Sequence, residues 1–268
     1  MPEGLLAGKR GVILGVANEK SIAWACALAC AEQGASLAFS YLGEGLERRV
    51  KKLVGEFLPD ALMLQCNVQN DAEIASFFQE IKNQWGSLDF VIHSVAFADK
   101  EDLRNQFVTT SRAGFALAMD ISAYSLVAVS REAAPLMKPG GSIIAMSYYG
   151  AEKVVPRYNV MGVAKAALEA SSRYLAWDLG EKGIRVNCIS AGPIRTLSAS
   201  AIAGMRLMLQ TTEKFAPLRR NVTQEEVGQT AVYLLSDMSS GVTGEVLHVD
   251  CGYNVMGMYG VEDPSQDA

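Results

Sequence analysis

Short β-rich apolar runs alternate with helical patterns along almost the whole of this 268-residue chain, and that alternation restricts the fold more than any other feature. The strand-like runs fall at residues 11–15, 36–40, 62–65, 88–93, 142–146, 185–189 and 246–249. Helical patterns follow at 21–33, 44–57, 71–85 and about 225–235, with a long helical stretch between the fourth and fifth runs. Strands that are apolar at nearly every position are covered on both faces, and their alternation with helices implies a parallel sheet wrapped on both sides. The expectation is a doubly wound, seven-stranded α/β domain spanning 1–268. No Pro/Ser-rich linker or repeat divides it, and the polar tail at 261–268 is expected to fray. Two segments interrupt the pattern: a polar stretch at 97–112 after the fourth strand, and an insertion at 196–220 after the sixth. Both follow carboxyl ends of strands, where open α/β sheets bind ligands. Met205, Leu207, Met208 and Leu209 in the insertion are either core or the lining of an apolar substrate pocket.

Composition narrows the function classes. A net charge of -5 without a compensating basic tract argues against a nucleic-acid partner. The N-terminus lacks the apolar core of a secretory signal, and the clearly apolar run at 22–31 is about half of what a membrane span needs. Cys26, Cys30, Cys66, Cys188 and Cys251 are scattered in apolar surroundings, as reduced core cysteines of a cytoplasmic protein would be. With only His93 and His248 besides, no metal site is expected.

Three places carry cofactor signals. Gly15-Val-Ala-Asn-Glu-Lys-Ser21-Ile22-Ala23 joins the first strand to the first helix, where free helical N–H groups and the helix dipole meet a pyrophosphate. The usual G-x-G-x-x-G is absent, and a plain strand-to-helix turn with Ser21 as N-cap is the competing reading. The second strand runs into Ser40-Tyr41-Leu42-Gly43, offering neither an acid for ribose hydroxyls nor a cation for a 2′-phosphate. Arg48 and Arg49 lie further on, as solvated helix charges, so NADH is the preferred cofactor. After the third strand, Cys66-Asn67-Val68 frames an adenine, unless Asn67 simply forms a turn.

The catalytic signal is Tyr158-Asn-Val-Met-Gly-Val-Ala-Lys165. On a continuous helix, positions seven apart return to nearly one face, so a phenol and an ammonium can serve one bound cofactor. The ammonium can hold ribose hydroxyls and favour developing oxyanion charge. Ser147-Tyr148-Tyr149 closes the preceding strand. Ordinary short-chain reductases use Tyr-x3-Lys, and here Met161 stands four residues before Lys165, unable to donate a proton. That counts against simple ketone or alcohol chemistry.

These residues together resemble the bacterial NADH-dependent enoyl-(acyl-carrier-protein) reductases of the short-chain dehydrogenase/reductase superfamily. The resemblance runs from about residue 6 to residue 258. It also takes in His93-Ser94, Asp120-Ile121-Ser122, Ile189-Ser-Ala-Gly-Pro-Ile-Arg-Thr-Leu197 and Gly244-Glu-Val-Leu-His-Val-Asp250. It implies a Rossmann-like homotetramer, cytoplasmic and without nucleic-acid or membrane partners, that reduces the trans-2 double bond of enoyl thioesters carried on acyl-carrier protein. It implies cofactor contacts at Gly15, Ser21, Ile22, Leu42, Asn67, Val68, Val95, Lys165, Ile194, Arg195, Thr196, Leu197 and Ser198. Tyr148 and Tyr158 would be the active-site tyrosines, with Ala98 beside the substrate. Leu42, Asn67 and Ala96 depart from what many relatives carry, and none of them belongs to the catalytic pair. The rival readings are a ketoacyl or alcohol reductase on the same fold and a non-catalytic NAD-binding regulator. Arg206, Lys214, Arg219 and Arg220 either offer a cationic surface to an acidic carrier protein or are solvated and internally paired charges.

Overall fold

The computed structural model describes residues 4–196 and 204–258. Seven parallel strands form one sheet: β1 (Arg10–Leu14), β2 (Ser36–Tyr41), β3 (Leu62–Gln65), β4 (Phe90–His93), β5 (Gly141–Ser147), β6 (Ile184–Ala191) and β7 (Val246–Val249). Their order is β3-β2-β1-β4-β5-β6-β7, so the chain reverses its direction of winding between β1 and β4. Around it lie α1 (Ile22–Glu32), α2 (Gly43–Phe57), α3 (Asp71–Trp85), α4 (Lys100–Arg104), α5 (Arg112–Met119), α6 (Ser125–Ala133), α7 (Val160–Gly180), α8 (Met205–Phe215) and α9 (Gln224–Leu235). The expected fold class is the observed one, with β3, α3 and β7 at their expected bounds.

The two-residue period of the strands sorts their side chains into two layers. Ile13, Phe39, Ile92, Ile144 and Ile189 join the cluster under α1 and α9. Val12, Ala38, Val91, Ile143 and Val186 join the cluster under α3, α6 and α7. Each fully buried Phe, such as Phe39 or Phe90, contributes about 1.5–3 kcal/mol through the water it sheds. All five cysteines are buried and unpaired, as expected.

Three features differ from the sequence reading. The long helical stretch before β5 is interrupted by a π turn over Asp120–Tyr124 between α5 and α6. There the Ser125 hydroxyl donates to the Ile121 carbonyl at 2.6 Å. The segment Arg112–Leu136, longer than the apolar run noted above, is long and apolar enough to cross a membrane, yet half of its most apolar window is buried inside the domain. In the insertion, α8 is two-sided: Leu209 and Thr212 are buried and Leu207 is exposed. Leu197 and Ser198 lie outside the described residues, as does the tail at 261–268.

Candidate active site

The winding reverses at β1 and β4, and their carboxyl ends are where an open α/β sheet binds ligands. Gly15 leaves β1 with φ 101°, and a Cβ there would stand 2.1 Å from the Ser94 carbonyl oxygen. Only glycine allows the two strand ends to approach this closely. Ser21 occupies the N-cap position of α1, but its hydroxyl does not cap the helix. It turns back and accepts from the N–H groups of Ala17 and Asn18, at 3.0 and 3.1 Å, tying the loop into a compact arch. The first N–H groups of α1, those of Ile22 and Ala23, have no acceptor within their own helix. The first turn carries no acidic residue to set against the positive end of the helix dipole.

On the other side of β1, Leu42 is 52% exposed at the start of α2. The Tyr41 hydroxyl donates to Glu47 at 3.2 Å, and Lys51 pairs with the same carboxylate at 2.6 Å. Arg48 and Arg49 point to solvent. Asn67 acts as the turn former that its residue type suggested. Its side-chain oxygen accepts from the Gln69 N–H at 3.1 Å, and its own N–H donates to Glu73 at 3.0 Å. One lone pair of that oxygen thus serves the loop. Val68 and Val95 are partly buried against the core below. Ile194 and Arg195, after β6, line a cavity of about 460 Å³ together with Arg206, Leu209 and Asn221.

Tyr158 and Lys165 are both buried, but Tyr158 reaches its place by a route other than the helical one. Tyr158 precedes α7, which begins at Val160, so the seven-residue alignment on one helix does not apply. The phenol is delivered by a turn in which the Tyr158 N–H donates to Val155 O and the Met161 N–H donates to Tyr158 O. Arg157 and Asn159, on either side of it, both have positive φ, at 67° and 46°. The ring lies on bare backbone: a Cβ on Gly150 would sit 2.4 Å from Tyr158 Cδ1. It meets Tyr148 edge-on, with centroids 4.8 Å apart and planes at 71°. Tyr158, Ala98, Leu103 and Met161 form a small buried cluster of their own, with Tyr148 packed against it. Burial holds the Tyr158 phenol well above its ordinary pKa, with Tyr148 and Glu169 adding to the effect, so it stays a proton donor at neutral pH.

Lys165 is 5% exposed, and its ammonium donates to the Met146 carbonyl at 2.6 Å. Burial pulls its pKa down to about 8, against the smaller opposing influence of Cys188 and Glu169. Met161 is buried beside the Ser122 hydroxyl, with sulfur and oxygen 3.8 Å apart. Each histidine has a side-chain partner. His93 donates through Nε2 to the Ser125 hydroxyl at 2.7 Å, and burial pushes its pKa down to about 3. His248 pairs with Glu152 at 2.8 Å. No group of three potential metal ligands occurs among the described residues.

The sequence reading named Ser122 and Ser147 without giving either a partner, and it did not name Glu169. Ser122, on the π turn, holds the Phe97 peptide by both ends: it accepts from the N–H at 2.9 Å and donates to the carbonyl at 3.0 Å. Ser147 donates to the buried Glu169 at 2.5 Å, one turn of α7 beyond Lys165. Of the candidate cationic surface, Arg220 is committed to a two-pronged pair with Glu226, and Arg219 donates to the Lys214 carbonyl.

Comparison with known proteins decides the family. Residues 15–254 match the family model described as enoyl-(acyl carrier protein) reductase. This chain belongs to the enoyl-(acyl carrier protein) reductase family. An enoyl-(acyl-carrier-protein) reductase (NADH) of Rhizobium meliloti is 56% identical over 261 residues, covering 97% of this chain and 96% of the relative. The Bacillus cereus reductase, solved with NADP+ and indole naphthyridinone, superposes with a TM-score of 0.94 at 54% identity, covering 95% of this chain and 100% of that one. The Anaplasma phagocytophilum reductase, solved with NAD, gives a TM-score of 0.92 at 50% identity, with 97% of each chain covered. These reductases place the fold.

Proposed function

We propose that this protein is an NADH-dependent enoyl-(acyl-carrier-protein) reductase, saturating the trans-2 double bond of enoyl thioesters during fatty-acid elongation. The observation that carries the reading is the cluster of Ala98, Tyr148 and Tyr158 beside Met161, with Lys165 buried one turn further along α7. The site fits a dinucleotide: a glycine-lined approach at Gly15, the start of α1 for the pyrophosphate, and a buried ammonium for ribose hydroxyls. Gly15, Ser21, Ile22, Leu42, Asn67, Val68, Val95, Lys165, Ile194, Arg195 and Thr196, with Leu197 and Ser198, would hold it. NADH, when bound, would supply the hydride that the β-carbon takes up, and the electron pair of the double bond would shift toward the thioester oxygen. Tyr158, kept protonated by burial, would donate a hydrogen bond to that oxygen as its charge grows, and collapse of the enolate would add a solvent-derived proton to the α-carbon. Lys165 orients the ribose and lends positive charge. Tyr148 packs the phenol in place, and Ala98 walls the acyl site.

The finer assignments have their own supports. A single domain fits the two core layers that share one sheet. A homotetramer fits the exposed Tyr174 and Trp177 on α7, aromatic area that a partner copy would cover. A cytoplasmic setting fits five buried free thiols.

Loss of the NADH absorbance band tests the reading. Crotonyl and longer enoyl thioesters should oxidise NADH, and ketoacyl thioesters should not. With no cation at the end of β2, kcat/KM should be higher for NADH than for NADPH. Turnover of the ketoacyl thioester would favour the rival reductase, and a reversed nucleotide preference would mean that Arg48 or Arg49 reaches the site.

A further inference from the structure

Asn159 departs from what its position would ordinarily ask of it. It occupies the N-cap of α7, where an asparagine normally accepts from N–H groups of its own helix, yet its side chain makes no such bond. Its amide nitrogen reaches instead to three carbonyls some 55 residues earlier: Asp102 at 3.2 Å, Leu103 at 3.1 Å and Asn105 at 2.8 Å. Two N–H bonds serve three acceptors, so one of them is shared. The backbone at Asn159 lies at φ 46°, ψ -125°, a strained conformation for a residue with a Cβ. That strain sits immediately after Tyr158.

The carbonyls it grips close the end of α4, a helix of five residues that cannot stand alone. Asp99 caps its start, accepting from the Glu101 N–H at 3.0 Å. Asp102 then fastens it to the next helix, accepting from the Ser111 N–H at 2.9 Å. Ahead of α4, Ser122 clamps the Phe97 peptide. Ala98 and Leu103 project from this tethered segment into the cluster that contains Tyr158. We propose that Asn159 is a positioning residue for the reaction: its amide locks the 98–105 wall of the acyl site to the turn that presents Tyr158. The proposal rests on Tyr158 being the group that stabilises the enolate oxygen.

Two substitutions test it. Asn159→Gly keeps access to positive φ and removes the amide. Asn159→Asp keeps the shape but sets carboxylate oxygens against three carbonyls. Asn159→Gly should lower kcat/KM for crotonyl thioester by about tenfold or more, since small displacements of reacting groups are costly, and leave the NADH dissociation constant unchanged. Hydrogen exchange at 100–105 should quicken, and Asn159→Asp should be at least as impaired. In a Tyr158→Phe background the further loss from Asn159→Gly should be smaller than in the wild type, because the residue acts through the phenol. Wild-type kcat/KM and exchange in Asn159→Gly, or an equal loss of NADH affinity, would overturn the proposal. The exchange measurement does not depend on the chemistry. Faster exchange in Asn159→Gly together with full activity in Tyr158→Phe would confirm the clamp and reject the catalytic assignment on which its purpose rests.

Discussion

Tyr158→Phe is expected to lower kcat by about 10²-fold, or roughly 2.7 kcal/mol, with the NADH dissociation constant nearly unchanged. The oxygen it serves gains charge mainly in the transition state, so the lost donor is felt in the rate and hardly in binding. Removing one such donor typically costs about 10²–10³ in rate, and the smaller end applies because a ribose hydroxyl can still donate. The fold should be undisturbed. The ring keeps its place on Gly150 and its edge-on contact with Tyr148, which do not involve the hydroxyl. Steady-state kinetics with crotonyl thioester, beside a fluorescence titration with NADH, separate the two parameters. A large loss of NADH affinity with kcat intact would assign the phenol to cofactor binding.

The second large effect belongs to Lys165 and has opposite signs for binding and for stability. Lys165→Met should weaken NADH binding strongly, because the ammonium that would grip the ribose is gone, and Lys165→Arg should restore part of it. The same charge is a burden on the free protein. Burial lowers its pKa from 10.5 to about 8, which corresponds to a penalty of the order of 3 kcal/mol while the folded and unfolded forms are both protonated. Below about pH 8 that penalty is fully present. Between about pH 8 and 10.5 the folded lysine has lost its proton and the unfolded one has not, so stability should rise with pH through this window. Lys165→Met should lack that rise. Part of its gain at neutral pH is offset by the Met146 carbonyl, which loses the donor now 2.6 Å away. Denaturant unfolding of both proteins between pH 7 and 10, without nucleotide, reads the difference directly. Parallel pH profiles would show that the buried ammonium is better solvated than its surroundings imply.

The fold was legible because its strands are covered on both sides. A strand such as β4 or β5 must be apolar at nearly every position, and such runs bounded by helical patterns allow few other architectures. The positions of Gly15 and Tyr148 at strand ends followed from the same pattern. The path by which Tyr158 arrives did not. Tyr-Asn-Val-Met reads as the continuous start of a helix, and only the positive φ of Asn159 separates the phenol from α7. Asparagine tolerates such backbone better than most residues, but its presence does not require it. The grip of Asn159 on α4 was hidden for a further reason. It joins segments some 55 residues apart, and local pattern carries no information about such a pairing. The π turn at Asp120–Tyr124 was missed likewise, since its residues are those of an ordinary helix. Ser21 shows the converse case: the residue type announced a helix start, while its hydroxyl went to the loop before it.

The central claim is that hydride is delivered to the β-carbon of an enoyl thioester beside Tyr158. NADH carrying deuterium at the transferable nicotinamide C4 position, turned over with crotonyl thioester in ordinary water, tests this most directly. Carbon NMR of the saturated product should find one deuterium at the β-carbon and none at the α-carbon, which takes its hydrogen from solvent. Deuterium at the α-carbon, or at the carbon of a reduced carbonyl, would contradict the account.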